Sequence, residues 1–166
     1  MRGPFPEMLK ARVWVFGDNI STDEIIPGKR LAEREIQKLA VFAFENLKES
    51  FWQRVREGDV IVSGRNFGCG SSREQAALVI KALGIKIILA ESFGRIFFRN
   101  CVNNGILPLR LHRPLKDLLV DGDEIQINFK ENLVVTQTTK TGFEKPAEIL
   151  WKIWKAGGLI EYLKKL

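Results

Sequence analysis

Cysteine and histidine are nearly absent. There are two cysteines, Cys69 and Cys101, and one histidine, His112. Two thiols and one imidazole cannot ligate an iron–sulfur cluster or complete a four-ligand structural zinc site. Nor can they staple a disulfide-rich secreted scaffold. Long hydrophobic runs are missing too: no stretch reaches the about 18 apolar residues that a membrane-spanning helix needs. Residues 1–7 contain Pro4, Pro6 and Glu7 and lack the apolar stretch of a signal peptide. These absences point to a cytoplasmic protein with both thiols reduced. Any metal chemistry would have to use carboxylates or another chain.

What is present suits one globular domain. The 166 residues are 45% hydrophobic and 28% charged, enough for a core beneath a solvated surface. Residues 1–8 read as a flexible N-terminal extension and 9–166 as the domain. The net charge of +6 raises the question of an anionic partner, nucleic acid included. Yet both signs are mixed through residues 29–35, and Lys152, Lys155, Lys164 and Lys165 stand beside Trp151, Trp154 and Leu163. That is the pattern of the wet faces of amphipathic helices, not of a nucleic-acid patch. A mildly positive field also suits a small anionic substrate.

Periodicity gives an α/β order. Residues 11–16 alternate as a strand, and Pro27-Gly28 marks a turn. Ile36, Leu39, Ala40, Ala43, Phe44 and Leu47 have helical spacing, which predicts an amphipathic helix over 31–47 with a loop at 29–33. Strands are expected at 60–62, 85–90 and 106–111, and helices at 72–83 and 92–102, with Ser92 as cap. Pro108 predicts an edge or a bulge for the last of these strands. This β-α-β-α-β run implies parallel pairing. Residues 124–129 and 133–138 read as an antiparallel hairpin, and 146–155 and 159–166 as helices.

The most informative stretch is Gly64-Arg-Asn-Phe-Gly-Cys-Gly-Ser-Ser-Arg-Glu74, between an expected strand and an expected helix. Its glycines permit close backbone approach to a ligand. Ser71, Ser72 and Arg73 then fall where free N–H groups and the helix dipole favour an anion. Arg73 adds a fork for a carboxylate. The plainer reading is a capping box, with Ser71 as cap and Glu74 reaching back. No Lys-Ser or Lys-Thr follows the glycines, and the spacing misses the dinucleotide fingerprint. His112, next to Arg113-Pro114, reads as a surface histidine and gives no support for a Ser-His-Asp triad.

At this loop the chain resembles a known family. Residues 66–74, Asn-Phe-Gly-Cys-Gly-Ser-Ser-Arg-Glu, are similar to the signature of the aconitase-family swivelling domain. The likeness is greatest to the separate small subunit of 3-isopropylmalate dehydratase and homoaconitase. Residues 17–28, Gly-Asp-Asn-Ile-Ser-Thr-Asp-Glu-Ile-Ile-Pro-Gly, resemble the family's N-terminal motif, and residues 91–109 a third block. The resemblance implies a swivelling β/β/α three-layer fold, a mixed or parallel sheet and an added β-hairpin.

It also implies a hydro-lyase that removes water from a hydroxy-dicarboxylate and returns it at the neighbouring carbon. The expected partner is a large subunit whose [4Fe–4S] cluster binds the substrate hydroxyl and a carboxylate; this chain would hold no cofactor. By motif position Ser71 would be the base, Ser72 and Arg73 would bind carboxylate, and Thr22 and Asp23 would be positioning residues. Cys69 and Cys101 read as packing residues. The family sets substrate choice after Pro-Gly, here Lys29, Arg30, Leu31, Ala32, Glu33 and Arg34. Homoaconitases carry Tyr-Leu-Arg-Met there, and Ala32 takes the arginine's place. That favours isopropylmalate, while Arg30 or Arg34 could still reach a third carboxylate. An anion- or RNA-binding module without catalysis is the competing class.

Overall fold

Alternation along the first strand, β1 (Met8–Val15), buries two different faces. Trp14 and the following Phe16 enter a first hydrophobic core, while Ala11 and Val13 enter a second. The same division runs through β2 (Val60–Val62), β3 (Ile87–Ala90) and β4 (Leu107–Arg110). Val60, Val62, Ile87, Leu89, Leu107 and Leu109 face the second core, and Ile61, Ile88 and Ala90 the first. A strand buried on both sides reads as a continuous apolar run, as these do. The computed structural model describes residues 6–166, so residues 1–5 of the expected extension lie outside the described residues. β1 begins at Met8, inside that extension and three residues ahead of the expected strand.

The strands form one sheet in the order β4-β3-β2-β1-β5-β6-β7, with β5 at Glu124–Asn128, β6 at Leu133–Val135 and β7 at Lys140–Gly142. β1 to β4 pair in parallel, as the β-α-β-α-β reading requires. β5, β6 and β7 pair antiparallel, and β5 joins β1. The expected hairpin is thus part of the main sheet, not an appendage. Leu107 and Leu111 donate their N–H groups toward β3, so the N–H that Pro108 lacks would point outward. That position at the sheet's end tolerates proline. The two ends of the sheet then meet: Leu111 bridges Phe143, flanked by His112 N–H to Gly142 O and Glu144 N–H to Arg110 O, both 2.8 Å. The curled sheet encloses the second core.

Helices cover the outer face of the parallel half and give the third layer. α1 (Thr22–Ile25), α2 (Ile36–Leu39) and α3 (Phe51–Arg54) are single turns. α4 (Glu74–Ala82) buries Ala76, Ala77, Val79 and Ile80, and α5 (Arg95–Asn103) buries Phe97 and Cys101. α6 (Glu148–Ala156) sets Trp151 against Phe129 at 4.8 Å and leads into α7 (Leu159–Leu163). No helix among the described residues is long and apolar enough to cross a membrane.

Two expectations fail. The helix over 31–47 breaks into α2, a 3-10 turn at Ala40–Phe42 and further turns. Phe44 adopts φ +56° and gives its N–H to Ile25 O at 2.9 Å. Its ring packs on Phe16 at 4.3 Å and Phe51 at 5.1 Å. Burial of that ring outweighs continuation of the helix, which would have bonded the same N–H four residues back. Ser92 does not cap α5 either. Its Oγ accepts the Asn66 N–H at 2.8 Å, and α5 starts after Gly94.

Candidate active site

The three motif segments follow the carboxyl ends of β1, β2 and β3, the edge of a parallel sheet where ligands bind. Backbone bonds sew them together. Asn19 N–H reaches Arg65 O at 2.8 Å, Gly68 N–H reaches Ile20 O at 2.7 Å, and Thr22 N–H reaches Cys69 O at 2.8 Å. On the other side Phe67 N–H bonds Ser92 O at 3.0 Å and Gly94 N–H bonds Phe67 O at 2.8 Å. The glycine loop is therefore a central strip laced to both neighbours. Phe67 is its foot, wholly buried among Phe16, Phe93 and Phe97.

Gly68 is required here for two reasons. Its φ is +78°, and a Cβ would collide with the Phe97 ring. A side chain at Gly94 would in turn strike the Gly68 carbonyl. These contacts hold the rest of the loop, Cys69 to Arg73, above the helical layer.

Ser71 is exposed, and its Oγ lies 3.0 Å from Thr22 Oγ1. Thr22 is buried, and its hydroxyl also lies 3.3 Å from the Ser71 carbonyl oxygen. The capping-box reading of Ser71 is overturned: α4 begins at Glu74 with Arg73 as cap residue and no side-chain cap. The capping box of this region lies in α1, between Ser21 and Glu24. Ser71 is spared that structural task because Thr22 takes its hydroxyl instead. Among the described residues, the N–H groups of Ser72, Arg73, Glu74 and Gln75 find no acceptor. They form the open N-terminus of a nine-residue helix, and Ser72 is exposed beside them.

Arg73 donates through Nη1 to Asp23 Oδ1 at 2.7 Å and to Ile26 O at 3.2 Å. Asp23 also accepts the Gly28 N–H at 2.9 Å. The Arg73 bond, helped by the Gly28 N–H, holds the Asp23 carboxyl below its ordinary pKa. Asp23 thus fixes one nitrogen of the guanidinium and leaves Nε and Nη2 to a ligand. Thr22 and Asp23 each touch one of the two signature side chains, Ser71 and Arg73. This end of the chain can hold a carboxylate and keep a hydroxyl oxygen in a positive field.

The loop at 28–34 starts against this pair. A 3-10 turn, Gly28–Arg30, begins where a Cβ on Gly28 would stand 3.2 Å from Arg73 Nη2. Arg30 makes a two-pronged bond to Glu45, Nε and Nη2 each at 2.9 Å. Lys29, Ala32 and Arg34 are exposed, and Leu31 packs partly into the first core. Sequence reasoning missed Glu45 and Lys116, charged residues in ordinary surface runs that only the fold brings in. Lys116 lies against Gly64 and 4.0 Å from Asp18, and its pKa is raised, mainly by Asp117. Asp18 accepts the Arg65 N–H at 2.8 Å, which with Lys116 lowers its pKa.

No cluster of three or more His, Cys, Asp and Glu side chains able to hold a metal occurs among the described residues. Cys101 is buried, with its thiol pushed well above the ordinary pKa by desolvation, and Cys69 stands without a second thiol. The donor set on this chain does not fit an iron–sulfur cluster. His112 is exposed beside Gly142 at the seam of the sheet.

Known proteins are similar to this chain in sequence and fold. The family model of the aconitase C-terminal domain matches residues 19–114, which span the three loops. The chain is 44% identical over 161 residues to 3-isopropylmalate dehydratase small subunit 1 of Methanopyrus kandleri, covering 96% of this chain and 94% of that one. It is 46% identical over 160 residues to the methanogen homoaconitase small subunit of Methanocaldococcus jannaschii, covering 95% and 92%. The crystal structure of 3-isopropylmalate dehydratase from the same organism superimposes with a TM-score of 0.86 at 42% identity, covering 95% and 94%. The chain belongs to the aconitase C-terminal domain family, among the small subunits of 3-isopropylmalate dehydratase and homoaconitase.

Proposed function

We propose that this chain is the small subunit of a hydro-lyase that converts 2-isopropylmalate to 3-isopropylmalate by dehydration and rehydration. It works with a large subunit, which carries the [4Fe–4S] cluster that this chain cannot hold. The observation that carries the reading is Ser71, exposed, with Thr22 Oγ1 at 3.0 Å, beside Arg73 and four free N–H groups. In its base form Ser71 is an alkoxide, which the open helix end and Arg73 stabilise. Thr22 accepts from the Ser71 hydroxyl at rest and donates to the alkoxide once it forms. Ser71 takes the carbon-bound proton, a general acid on the large subunit protonates the leaving hydroxyl so that it departs as water, and both protons return on rehydration. Arg73 Nε and Nη2, with Ser72, hold a substrate carboxylate.

A second reading is a homoaconitase or methylmalate-type dehydratase. It is favoured by the 46% identity to a homoaconitase small subunit and by Arg34, which has no acidic partner among the described residues. Reconstitution with the cluster-bearing large subunit of the same genome, assayed on 2-isopropylmalate, methylmalate and a homocitrate-type substrate, decides between them. Turnover requires both chains, and Ser71→Ala lowers it by about 10²- to 10⁴-fold. Hydro-lyase function is rejected if no pairing hydrates or dehydrates any substrate, and Ser71 is rejected as the base if Ser71→Ala keeps full activity.

A further inference from the structure

The turn that starts at Gly28 lies against Arg73, the group proposed above to hold a substrate carboxylate. A Cβ on Gly28 would stand 3.2 Å from Arg73 Nη2 and 3.5 Å from Asp23 Oδ1. Three cations follow within six residues: Lys29, Arg30 and Arg34. Left unpaired, Arg30 would be a ready fork for one more carboxylate. The structure does not leave it unpaired. Its Nε and Nη2 both bond Glu45 at 2.9 Å, and its guanidinium lies 4.0 Å over the Phe42 ring. The pair is only partly exposed, 35% for the Arg30 side chain and 21% for Glu45. Stacking and the two-pronged bond together fix the plane of the guanidinium, which neither would do alone.

Glu45 is held there by the fold. It follows Phe44, whose N–H is bonded to Ile25 O, two residues before Pro27. The segment 42–45 is thus tied back to the start of the same loop. Hydrogen bonding to Arg30, with the nearby charge of Lys29, holds the Glu45 carboxyl below its ordinary pKa. One carboxylate therefore offsets the positive charge of the turn's last residue. Beyond the turn, Leu31 is half-buried against the core and Ala32 carries no charge.

We propose that Glu45, supported by Phe42, is a specificity-determining positioning residue. It takes the charge of Arg30 out of the substrate site, so that the enzyme prefers a hydroxy-dicarboxylate with an uncharged third substituent over a tricarboxylate. The inference rests on the hydro-lyase reading above and deepens it. A site with one cation neutralised rejects the extra carboxylate by leaving that charge without a partner.

The test uses the reconstituted two-chain enzyme and compares kcat/KM for 2-isopropylmalate with that for a homocitrate-type tricarboxylate. Wild type prefers the dicarboxylate. Glu45→Gln frees Arg30 and raises the tricarboxylate-to-dicarboxylate ratio at least tenfold, chiefly through a lower KM for the tricarboxylate. Glu45→Asp, which keeps the charge, stays near the wild-type ratio. The double variant Arg30→Gln/Glu45→Gln loses the gain, because the freed arginine is what recognises the third carboxylate. If Glu45→Gln does not fold or assemble, Glu45→Ala serves instead: it removes the same carboxylate and raises the ratio in the same direction. A wild-type preference for the tricarboxylate overturns the proposal, and so does a ratio unmoved by Glu45→Gln or Glu45→Ala, or a gain that survives in the double variant. Those results leave hydro-lyase activity in place. An assembled wild type inert on every substrate overturns the hydro-lyase reading and this inference with it.

Discussion

Thr22 is 1% exposed, yet its hydroxyl is the protein group nearest to the exposed oxygen of Ser71 among the hydrogen bonds of the loop. A β-branched side chain has few rotamers, so Thr22 presents that hydroxyl in a fixed direction. Thr22→Val keeps the shape and removes the hydroxyl. Loss of one hydrogen bond worth about 1 kcal/mol lowers kcat about fivefold. KM changes by less than about twofold, because Thr22 touches Ser71, the proposed base, and not Arg73, the proposed carboxylate holder. Steady-state kinetics of the reconstituted variant checks the split.

Asp59 governs a different property. It is buried and accepts from Arg12 Nη2 at 2.6 Å, Trp14 Nε1 at 2.8 Å and the Arg56 N–H at 2.8 Å. Desolvation pushes its pKa up, but those donors outweigh it, and the folded value lies below the ordinary one. A depressed folded-state pKa contributes stability that is present above the unfolded pKa, about 3.9, and is lost as pH falls through the folded value. Wild type therefore loses stability below about pH 4 through this group, and Asp59→Asn lacks that part of the acid dependence. At neutral pH the substitution costs about 2 kcal/mol, since Arg12 loses its charged partner. Urea unfolding across a pH series measures both effects.

Among the elements, the glycine loop is the one on whose conformation the proposed function depends. Gly58 and Gly68 both adopt positive φ, +88° and +78°. Gly58 has open space around its Cβ direction, whereas a Cβ at Gly68 meets the Phe97 ring. Gly58→Ala costs only the backbone strain, about 1 kcal/mol. Gly68→Ala adds a collision with a buried ring of the first core and costs at least about 2 kcal/mol more. It also shifts Ser71 and Arg73, so the reconstituted enzyme loses turnover as well as thermal stability, while Gly58→Ala loses only stability.

The same scale shows what a reader of the sequence alone can see. Apolar runs at Val60–Val62 and Ile87–Ala90 announce buried parallel strands because every residue there faces a core. The glycine loop and Arg73 are local in sequence, so their placement before α4 is legible. What is hidden is non-local. The apolar spacing through Leu39, Ala40, Ala43 and Phe44 fits a helix, but Phe44 bonds Ile25 and stacks on Phe16, which no local pattern encodes. Ser71 and Glu74 fit a capping box equally well by spacing, but α4 begins at Glu74 with Arg73 as its cap residue, and the Ser71 hydroxyl lies against Thr22 instead. Glu45 stands 15 residues from Arg30 and shares no motif with it.

At the scale of the whole molecule the sheet separates two cores with different duties. The first lies under the helices and carries the motif loops, with Phe67 inserted directly beneath the Gly68–Arg73 strip. The second lies inside the curled sheet, where Phe143 packs against Phe129 at 6.2 Å and sits at the seam with Leu111. Phe67 and Phe143 are equally buried, at 0% and 1% exposure, so truncation of either removes a comparable apolar volume. Phe143→Ala and Phe67→Ala each cost about 3–5 kcal/mol in urea unfolding. Their effects on catalysis differ. Phe143 belongs to the second core and not to the one beneath the three loops, so the folded, reconstituted Phe143→Ala enzyme keeps its kcat. Phe67 holds Ser92 and Gly94 through its backbone and Phe97 through its ring. A cavity there lets the strip settle, and a small displacement of a reacting group costs about 100-fold in rate. Equal loss of kcat in the two variants, measured at a temperature where both are folded, would show that the two cores are not independent supports.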